Sequence, residues 1–367
     1  MDKNTDEVFY ILIIIIHRFG GIEMRTKWKI ILAFLLCFVL IACAKEEESA
    51  PKEKVDTDPI ADEPIAEPEM FVYPFTGLET TEEPTNRAIS VMVNNHPKAR
   101  PQTGLSQADI VFEILAEGNI TRFLAIFHSE IPEKVGPVRS ARPYYFNLAD
   151  DYGALYVYHG AADFIEDMIQ SGGADGLNGM YFDNDKVLFE RSTDRVAPHN
   201  SYAFFDGVAT RAEEKGYELE AVHESLPFAD EEITGEAALD VTLPYSNYQV
   251  RYVYDANENV YHRYSDGAQT VEYLDSTPIE LANVLILETH HQVMDNAGRR
   301  EIDLSSGGEA LLLQRGKVQN VQWEQIDGRI IPTKDGEPVP FIPGKTWVNV
   351  IPTSPGISGI NISETSE

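Results

Sequence analysis

An apolar segment near the N-terminus limits which part of this chain can form a water-soluble body. From Met24 the chain reads MRTKWKIILAFLLCFVLIAC, in which basic residues precede an apolar run from Ile30 to Ile41. A positive start, a short apolar centre and a small residue near the end are typical of a secretory signal peptide. The run is shorter than the roughly 20 residues of a membrane-spanning helix, which disfavours the alternative of an uncleaved anchor. We therefore expect the folded body to follow residue 43 outside the cytoplasm.

The segment ends in Leu40-Ile41-Ala42-Cys43, which resembles the lipobox of bacterial lipoproteins. This resemblance implies that the Cys43 thiol receives a diacylglyceryl group and becomes the mature N-terminus. The chain has only two cysteines, and both lie in this segment. A disulfide, a thiolate metal site or a cysteine nucleophile is therefore not expected in the folded body. We expect a lipid-anchored protein at the outer face of the cytoplasmic membrane.

Residues 1–23 fit this arrangement poorly. An acidic start and a second apolar run, from Val8 to Ile16, precede the basic residues of the signal. The residues Gly20-Gly21-Ile22-Glu23 can be encoded by a purine-rich ribosome-binding site at suitable spacing before Met24. We therefore expect translation to start at Met24 and treat residues 1–23 as a doubtful N-terminal extension, which would form an extra anchor if it is translated.

Differences in composition predict that the rest of the chain consists of a tether and two domains. Residues 44–72 are rich in acidic residues and proline, and such a segment buries too little apolar surface to order itself, so it predicts an acidic, disordered tether. A second acidic, aperiodic stretch runs from Leu226 to Asp240. We expect an α+β protein in which a mixed α/β N-terminal domain at 73–235 is followed by a β-rich C-terminal domain at 240–357.

Hydrophobic periodicity predicts the elements of both domains. In the first domain we expect a strand from Ile89 to Val93, a hairpin from Val111 to Ala116 and Ile120 to Phe127, a strand from Ala154 to Tyr158, and helices from Ala141 to Asp151, Phe164 to Ser171 and Phe205 to Lys215. A capping box at residues 106–109 that opens a short helix is the alternative to the hairpin start. In the second domain we expect strands from Tyr248 to Tyr254, Val260 to Tyr264, Asn283 to Val293, Leu311 to Gln314, Val318 to Trp323 and Trp347 to Ile351.

The two arginines of the stretch GPVRSARPYYFN are unusual because the chain as a whole is strongly acidic. The formal net charge is −31, from 60 Asp and Glu against 29 Lys and Arg, which argues against general attraction to nucleic acid or to anionic lipid. Arg139 and Arg142 lie at the predicted helix start, with Ser140 as the expected N-cap. Free backbone N–H groups, the positive end of the helix and two guanidinium groups together favour a phosphate or a carboxylate. The alternative is that each arginine pairs with an acid such as Glu113 or Asp150.

Further polar side chains follow the predicted strands, where sites in sheet proteins usually lie. We expect an anionic ligand to be bound by Asn94, Asn95, Arg122, Arg139, Arg142, His159, Arg191, Arg195, His199 and Asn200. His96, His159 and His199 are candidates for acid–base groups, with satisfied structural histidines as the alternative.

Several common sites are absent from the sequence or disfavoured by it. It contains no P-loop, no dinucleotide-binding fingerprint and no HExxH. Its serines Ser106 and Ser140 lack the G-x-S-x-G setting of a hydrolase nucleophile. Glu288, His290, His291 and Asp295 suggest metal ligands, but neighbouring residues of a strand point to opposite faces. We therefore expect no metal and no other cofactor.

The most distinctive part of the sequence also resembles a known protein family. The stretch VMVNNHPKARPQTGLSQADIVFEILAEGNITRFLAIFHSEIPEKVGPVRSARPYYFNLA, with Tyr158-His159-Gly160, Arg191, Arg195 and Ala197-Pro198-His199-Asn200, resembles the N-terminal domain of the YerB-type bacterial lipoproteins. The C-terminal half is similar to the companion domain of that family, notably at Gly307-Gly308-Glu309-Ala310, Gly316-Lys317, Trp323 and Gly344-Lys345-Thr346-Trp347. The resemblance covers about residues 75 to 355. It implies an exported two-domain lipoprotein, typical of Firmicutes, and no particular reaction.

Three functions remain open on this basis. The first is an envelope lipoprotein that binds an anionic cell-envelope ligand through the arginines. The second is a phosphoryl or glycosyl transferase or hydrolase that uses the same cations to stabilise developing charge, with His159 or His199 as acid or base. The third is an interaction scaffold whose C-terminal domain contacts an envelope protein through Trp323 and Trp347. In all three the membrane is reached through the lipid anchor, and nucleic acid is not a partner.

Overall fold

The computed structural model describes residues 69–245 and 248–365, which belong to one compact unit. The expected N-terminal extension, the signal segment, Cys43 and the tether as far as residue 68 lie outside the described residues. In the part of the chain that is described, every helix is too short or too polar to cross a membrane.

Strands form most of the regular structure. They are β1 (Phe71–Val72), β2 (Glu79–Thr80), β3 (Ile89–Asn94), β4 (Ile110–Glu117), β5 (Ile120–Phe127), β6 (Lys134–Val135), β7 (Leu155–Tyr158), β8 (Gly176–Asn178), β9 (Phe189–Arg191), β10 (Ser201–Phe204), β11 (Glu236–Ala237), β12 (Asp240–Tyr245), β13 (Tyr248–Asp255), β14 (Val260–Ser265), β15 (Ala268–Gln269), β16 (Glu280–Leu281), β17 (Asn283–Thr289), β18 (His291–Val293), β19 (Arg300–Ile302), β20 (Gly308–Gln314), β21 (Lys317–Ile326), β22 (Arg329–Lys334), β23 (Glu337–Pro338), β24 (Thr346–Pro352) and β25 (Asn361–Ser363). The α-helices are α1 (Pro143–Asp151), α2 (Asp163–Met168) and α3 (Phe205–Lys215). Short 3-10 turns lie at Pro97–Ala99, Leu105–Gln107 and Ile357–Gly359, and a π turn lies at Ile169–Gly173.

One sheet of twelve strands holds most of the core. Its order is β23–β22–β21–β20–β17–β24–β4–β5–β3–β7–β8, with β11 paired to β21. Strands β4 and β5 form the predicted antiparallel hairpin, whereas β3 and β7, and β4 and β24, run parallel. In the β4–β24 pair Val348 lies opposite Phe112, so backbone hydrogen bonds join the two halves of the chain. The prediction of an α+β fold with a β-rich C-terminal part is confirmed.

A second sheet packs on this core from the C-terminal half. Its order is β15–β14–β13–β12–β25, with β16 paired to β14. Side chains in β13 and β14 tend to alternate between buried and partly exposed positions, as expected for a sheet with one face on the core. By contrast, the side chains of β3 are all buried, because both faces of that strand are covered. Smaller sheets are formed by β6–β10–β9, by β1–β2 and by β18–β19.

Helix α1 begins later than predicted. Its first residue is Pro143 and its N-cap position is occupied by Arg142, whose side chain makes no capping hydrogen bond, so the expected N-cap Ser140 is wrong. The Ala141 N–H donates to the Gly160 carbonyl at 2.9 Å, which holds the preceding segment outside the helix. Proline suits the first helical position because its φ is fixed near the helical value and it has no N–H to satisfy.

Other predicted boundaries differ where glycine or a strand break intervenes. Helix α2 gives way at Met168 to the π turn, in which Gly172 has φ of 102°. The strand predicted from Asn283 to Val293 is interrupted at His290 between β17 and β18. Helix α3 has the bounds that were predicted. The capping-box alternative is represented only by the 3-10 turn at Leu105–Gln107.

The buried His128, which follows β5, packs against the partly buried His223. The rings of His128 and His223 are 5.0 Å apart, and Phe75 contacts both. Neither nitrogen of His128 has a hydrogen-bond partner in the described residues, while Nε2 of His223 accepts from the Ala88 N–H at 3.1 Å. Burial, followed by the neighbouring His128, lowers the pKa of His223 to about 4. Burial also lowers the pKa of His128.

Acidification is expected to remove the contribution of His223 to stability. Below its ordinary pKa of 6.5 the unfolded chain takes up a proton that the folded chain excludes until about pH 4, so stability is lost across that interval. Urea-unfolding midpoints of the protein and of His223→Gln, measured at pH 7, 5.5 and 4.5, check this. The advantage of the unsubstituted protein should shrink as the pH falls. An advantage that stays constant would contradict the prediction.

Candidate functional site

The carboxyl ends of the neighbouring parallel strands β3, β7 and β8 lie along one edge of the large sheet. They place Asn94, His159 and Asn178 at that edge, where loops carry sites in open sheets. The segment before α1 is held against the same edge, because the Asn94 N–H at the end of β3 donates to the Pro137 carbonyl at 2.8 Å. Predicted site residues from three separate stretches of sequence therefore meet here.

Arg139 is fixed by its backbone and free at its side chain. Its N–H donates to the Met92 carbonyl at 2.8 Å, and its carbonyl accepts from the His159 N–H at 2.9 Å. The side chain is half-buried, and within residues 69–245 and 248–365 its guanidinium makes no hydrogen bond and no ion pair. Burial and then the nearby Arg122 lower the pKa of Arg139 to about 10. A partly desolvated cation without a counter-charge is a group that an anion would stabilise.

Two histidines stack beside Arg139. The rings of His96 and His199 are 4.6 Å apart with an interplanar angle of 27°. Nδ1 of His96 accepts from the Lys98 N–H at 3.1 Å, and Nδ1 of His199 lies 2.9 Å from the Asn94 side-chain amide. The Asn94 oxygen accepts from the His96 N–H, so its NH₂ group is the donor to His199. In the neutral rings these bonds leave the proton on Nε2 of each imidazole, where it can be donated to a ligand.

The largest charge effects on this histidine pair come from basic residues. Burial, then Lys98, Arg139 and Arg100 lower the pKa of His96. Burial, then His96, Arg139, Lys98 and Arg195 lower the pKa of His199. No acid is among these causes, although acids outnumber bases two to one in the chain. We refer to His96, Lys98, Arg139 and His199 as the cationic rim.

Arg122 and Arg142 differ from Arg139 because both are paired with a carboxylate. Their side chains are each 6% exposed, and both form ion pairs with the carboxylate of Glu117. Arg122 also donates to the Ser140 carbonyl, and Arg142 donates to the Ala141 carbonyl. The expectation that Arg139 and Arg142 jointly present free guanidinium groups at a helix start is therefore wrong. The paired acid is Glu117, not Glu113 or Asp150.

The remaining predicted residues of the 191–200 loop form their own contacts. Arg191 donates to Asp183 and, at 3.0 Å, to the side-chain oxygen of Asn200. Asp183 also lies 3.3 Å from Nε2 of His159, whose ring packs edge-on against Phe189. In the described residues no hydrogen bond or ring contact joins His159 to the stacked pair.

The loop that follows β3 is held by residues from the second half of the chain. The side-chain amide of Asn95 donates to Thr121 at 2.7 Å and to Glu113 at 3.2 Å. Glu113 is buried and pairs with the equally buried Arg263, 150 residues away. The Glu272 carboxylate accepts from the backbone N–H of Gly104 at 2.7 Å. These contacts position the loop that carries His96 and Lys98.

Sequence reasoning missed the acids that neutralise most of the predicted arginines. Glu117 precedes Arg122 by five residues on the same hairpin, which is a signal that could have been used. Asp183 carries no such local signal, since its partner Arg191 lies on another element. His96 was named only as an acid–base candidate, and its stacking on His199 depends on contacts between distant loops.

The two tryptophans that were expected to contact a partner are buried in the C-terminal half. Trp323 and Trp347 are 0% exposed, and their indole N–H groups donate to the Glu288 carbonyl and the Glu113 carboxylate. Their expected role in contacting a partner is therefore wrong, because neither ring reaches the surface.

The metal ligands considered from sequence serve separate contacts. Glu288 accepts from the Ile357 N–H at 2.7 Å, His291 bonds the Thr289 carbonyl, and Asp295 pairs with Arg299. A different group, Asp255, Glu258 and His262, brings its possible ligand atoms within 4.8 Å of one another on the β13–β14 hairpin. Two of these also pair with each other, since Glu258 lies 3.5 Å from His262.

Comparison with known proteins places both halves of the chain. Residues 75–218 match "Protein of unknown function (DUF3048) N-terminal domain", and residues 240–348 match "Protein of unknown function (DUF3048) C-terminal domain". A protein of Bacillus subtilis (strain 168) named "Putative lipoprotein YerB" is 41% identical over 332 residues, which span 89% of this chain and 96% of that one. The crystal structure of YerB protein from Bacillus subtilis is similar with a TM-score of 0.74 and 45% identity, over 80% of this chain and 99% of that one. The chain therefore belongs to the DUF3048 family and carries the N-terminal and C-terminal domains of that family in this order.

Proposed function

We propose that this protein is a lipoprotein, anchored through Cys43 at the outer face of the cytoplasmic membrane, that binds an anionic cell-envelope ligand at the cationic rim. The N-terminal domain, at 73–235, carries the rim. The C-terminal domain, at 240–357, holds the loop after β3 in place. The name of the Bacillus subtilis relative supports the anchor, and the acidic tether supplies the reach between membrane and rim.

One observation carries the binding proposal. The Arg139 guanidinium is half-buried without a partner in the described residues, next to two Nε2–H donors and an exposed lysine. The rim thus offers several donors and positive charge, and the largest charge effects on both histidines come from basic residues. Phosphates and carboxylates match such a donor set, because charge-assisted hydrogen bonds to guanidinium are short and strong.

The substitution Arg139→Gln tests this proposal. With inorganic phosphate as the probe, we expect the affinity of the full chain to fall about 10- to 100-fold, since a hydrogen bond to a charged group contributes about 1.5–3 kcal/mol. The melting temperature should change little, because the guanidinium has no partner to lose within the described residues. Isothermal titration calorimetry and thermal unfolding give the two readouts.

Lys215→Gln is the matched control, because it removes the same charge from the end of α3. It should leave the phosphate affinity within about twofold of the unsubstituted protein, since exposed charges beyond about 10 Å are screened at 0.1 M salt. Equal losses in both variants would assign the effect to net charge. No phosphate binding by the unsubstituted protein would refute the proposal.

Acidification should strengthen binding at the rim. At neutral pH the depressed pKa values keep His96 and His199 uncharged, and as the pH falls through those values each ring gains a positive charge. Calorimetry between pH 7.5 and 5.5 should therefore show rising affinity for sulfate, whose own charge is constant in this range. The rise should be smaller in the variant His199→Gln. A flat profile in the unsubstituted protein would contradict this role of the histidines.

A further inference from the structure

A small pocket with both apolar and polar walls lies at the end of the loop that carries part of the cationic rim. Its volume is about 260 Å³, and its walls include Thr103, Lys134, Glu190, Tyr202 and Tyr273. It lies between the loop after β3, the strands β9 and β10, and the turn that follows β15. These are elements from both halves of the chain, so the pocket is formed only in the folded unit.

Arg195 connects this pocket to the rim. Its guanidinium lies 4.5 Å from the centre of the Tyr273 ring and donates to the carbonyls of Ala99 and Pro101. Its charge is also among those that lower the pKa of His199. Arg195 therefore contacts both the loop that carries His96 and Lys98 and the Tyr273 ring of the pocket wall.

The pocket is lined by hydrogen-bond donors and acceptors that have no hydrogen-bond or ion-pair partner in the described residues. Thr103 is 4% exposed, and its hydroxyl has no hydrogen-bond partner in the described residues. The hydroxyls of Tyr202 and Tyr273 likewise make no hydrogen bond there. Lys134 lies over the Tyr202 ring at 5.9 Å, and within the described chain neither it nor Glu190 forms an ion pair. Hydroxyls both donate and accept, lysine only donates, and a carboxylate only accepts.

This combination selects a particular class of ligand. A sugar ring presents hydroxyl groups that donate and accept along its rim, while its C–H faces are apolar and pack against aromatic rings. The part of the Tyr273 ring that Arg195 leaves uncovered supplies such a surface, since Tyr273 is 39% exposed. A purely apolar ligand would displace water from the hydroxyls of Tyr202 and Tyr273 without replacing its hydrogen bonds, which costs free energy. An inorganic anion alone would leave the pocket unfilled.

We infer that this pocket is a subsite for a sugar ring and that the ligand of the cationic rim is a phosphorylated glycan, with its phosphate at Arg139 and an adjoining sugar beside Tyr273. The inference rests on the proposed function, since it assigns the rim to the phosphate group. The inference adds the class of ligand, a phosphorylated glycan, because a cluster of cations by itself indicates only that the ligand is an anion.

The experiment compares the affinities of the full chain for inorganic phosphate, glycerol 3-phosphate, glucose 1-phosphate and N-acetylglucosamine 1-phosphate. At least one sugar phosphate should bind about tenfold more tightly than inorganic phosphate and than glycerol 3-phosphate, which lacks a ring. In Tyr273→Leu and in Thr103→Val that advantage should fall to about twofold or less, while the affinity for inorganic phosphate stays unchanged. Tyr273→Phe should keep most of it, and Tyr181→Leu, which removes an exposed tyrosine outside the pocket, should keep all of it.

The outcomes separate the two proposals. If inorganic phosphate binds but no sugar phosphate binds more tightly, the sugar subsite is wrong and the anion site stands. The subsite is also wrong if Tyr273→Leu weakens inorganic phosphate and sugar phosphate equally. If the unsubstituted protein binds none of the four probes, both the proposed function and this inference fail.

Discussion

Replacing Arg263 by methionine should lower the free energy of unfolding by about 3–5 kcal/mol, the usual effect of removing one partner of a buried ion pair. Arg263 is 1% exposed and Glu113 is 0% exposed, with Nη2 of the arginine 2.8 Å from the carboxylate. The guanidinium also lies 4.8 Å from the centre of the Trp347 ring. The substitution would leave a carboxylate buried without its counter-charge. Urea unfolding at neutral pH measures the loss.

A double-substitution cycle separates this charge effect from lost packing. Glu113→Gln removes the negative charge and keeps an oxygen for Asn95 and Tyr248, which both bond the carboxylate in the native protein. The double variant Glu113→Gln/Arg263→Met should lose less unfolding free energy than the two single variants lose together. The difference, which is the coupling energy of the pair, should be about 2 kcal/mol. Strict additivity would show that the pair acts only through volume and shape. Because the pair also supports the loop after β3, both single variants should weaken phosphate binding.

The second large effect is expected at Glu117, whose carboxylate is shared by two guanidinium groups. Glu117→Gln should lower the free energy of unfolding by about 2 kcal/mol, since Arg122 and Arg142 would keep only carbonyl partners in a buried setting. The carboxylate is 34% exposed, so water replaces part of what is lost, and the effect is smaller than at Glu113. Phosphate affinity should stay within about threefold, because the rim keeps its groups.

The same reasoning reverses an expectation drawn from the sequence. Had Arg142 been a ligand group, Arg142→Ala would abolish binding and spare the melting temperature. Its ion pair with Glu117 predicts the opposite, namely lower stability and nearly intact binding. Lys215→Gln, which removes an exposed positive charge elsewhere, is the control for the change in net charge. Lost affinity with unchanged stability in Arg142→Ala would return Arg142 to the binding site.

Local pattern was sufficient for much of the fold. The hairpin β4–β5 and helix α3 follow from periodicity and turn residues within a dozen positions, and both were predicted closely. The start of α1 was missed because the Ala141 N–H is taken by Gly160, a partner that periodicity does not reveal. The pairing of β24 with β4 was not predicted either, since parallel strands far apart in sequence carry no shared local signal.

The sequence by itself determined the family, the α+β class, the predicted lipid anchor and the presence of cations in an acidic chain, because each of these depends on composition or on contiguous residues. It also named His96, Arg139 and His199 of the rim among its candidates, but not Lys98. Only the tertiary structure decided which cations have a partner. Arg122, Arg142 and Arg191 form ion pairs with carboxylates, whereas the Arg139 side chain has no such pair among the described residues and lies near Arg122. Charge pairing is decided by distance in space, which the order of residues along the chain does not encode locally.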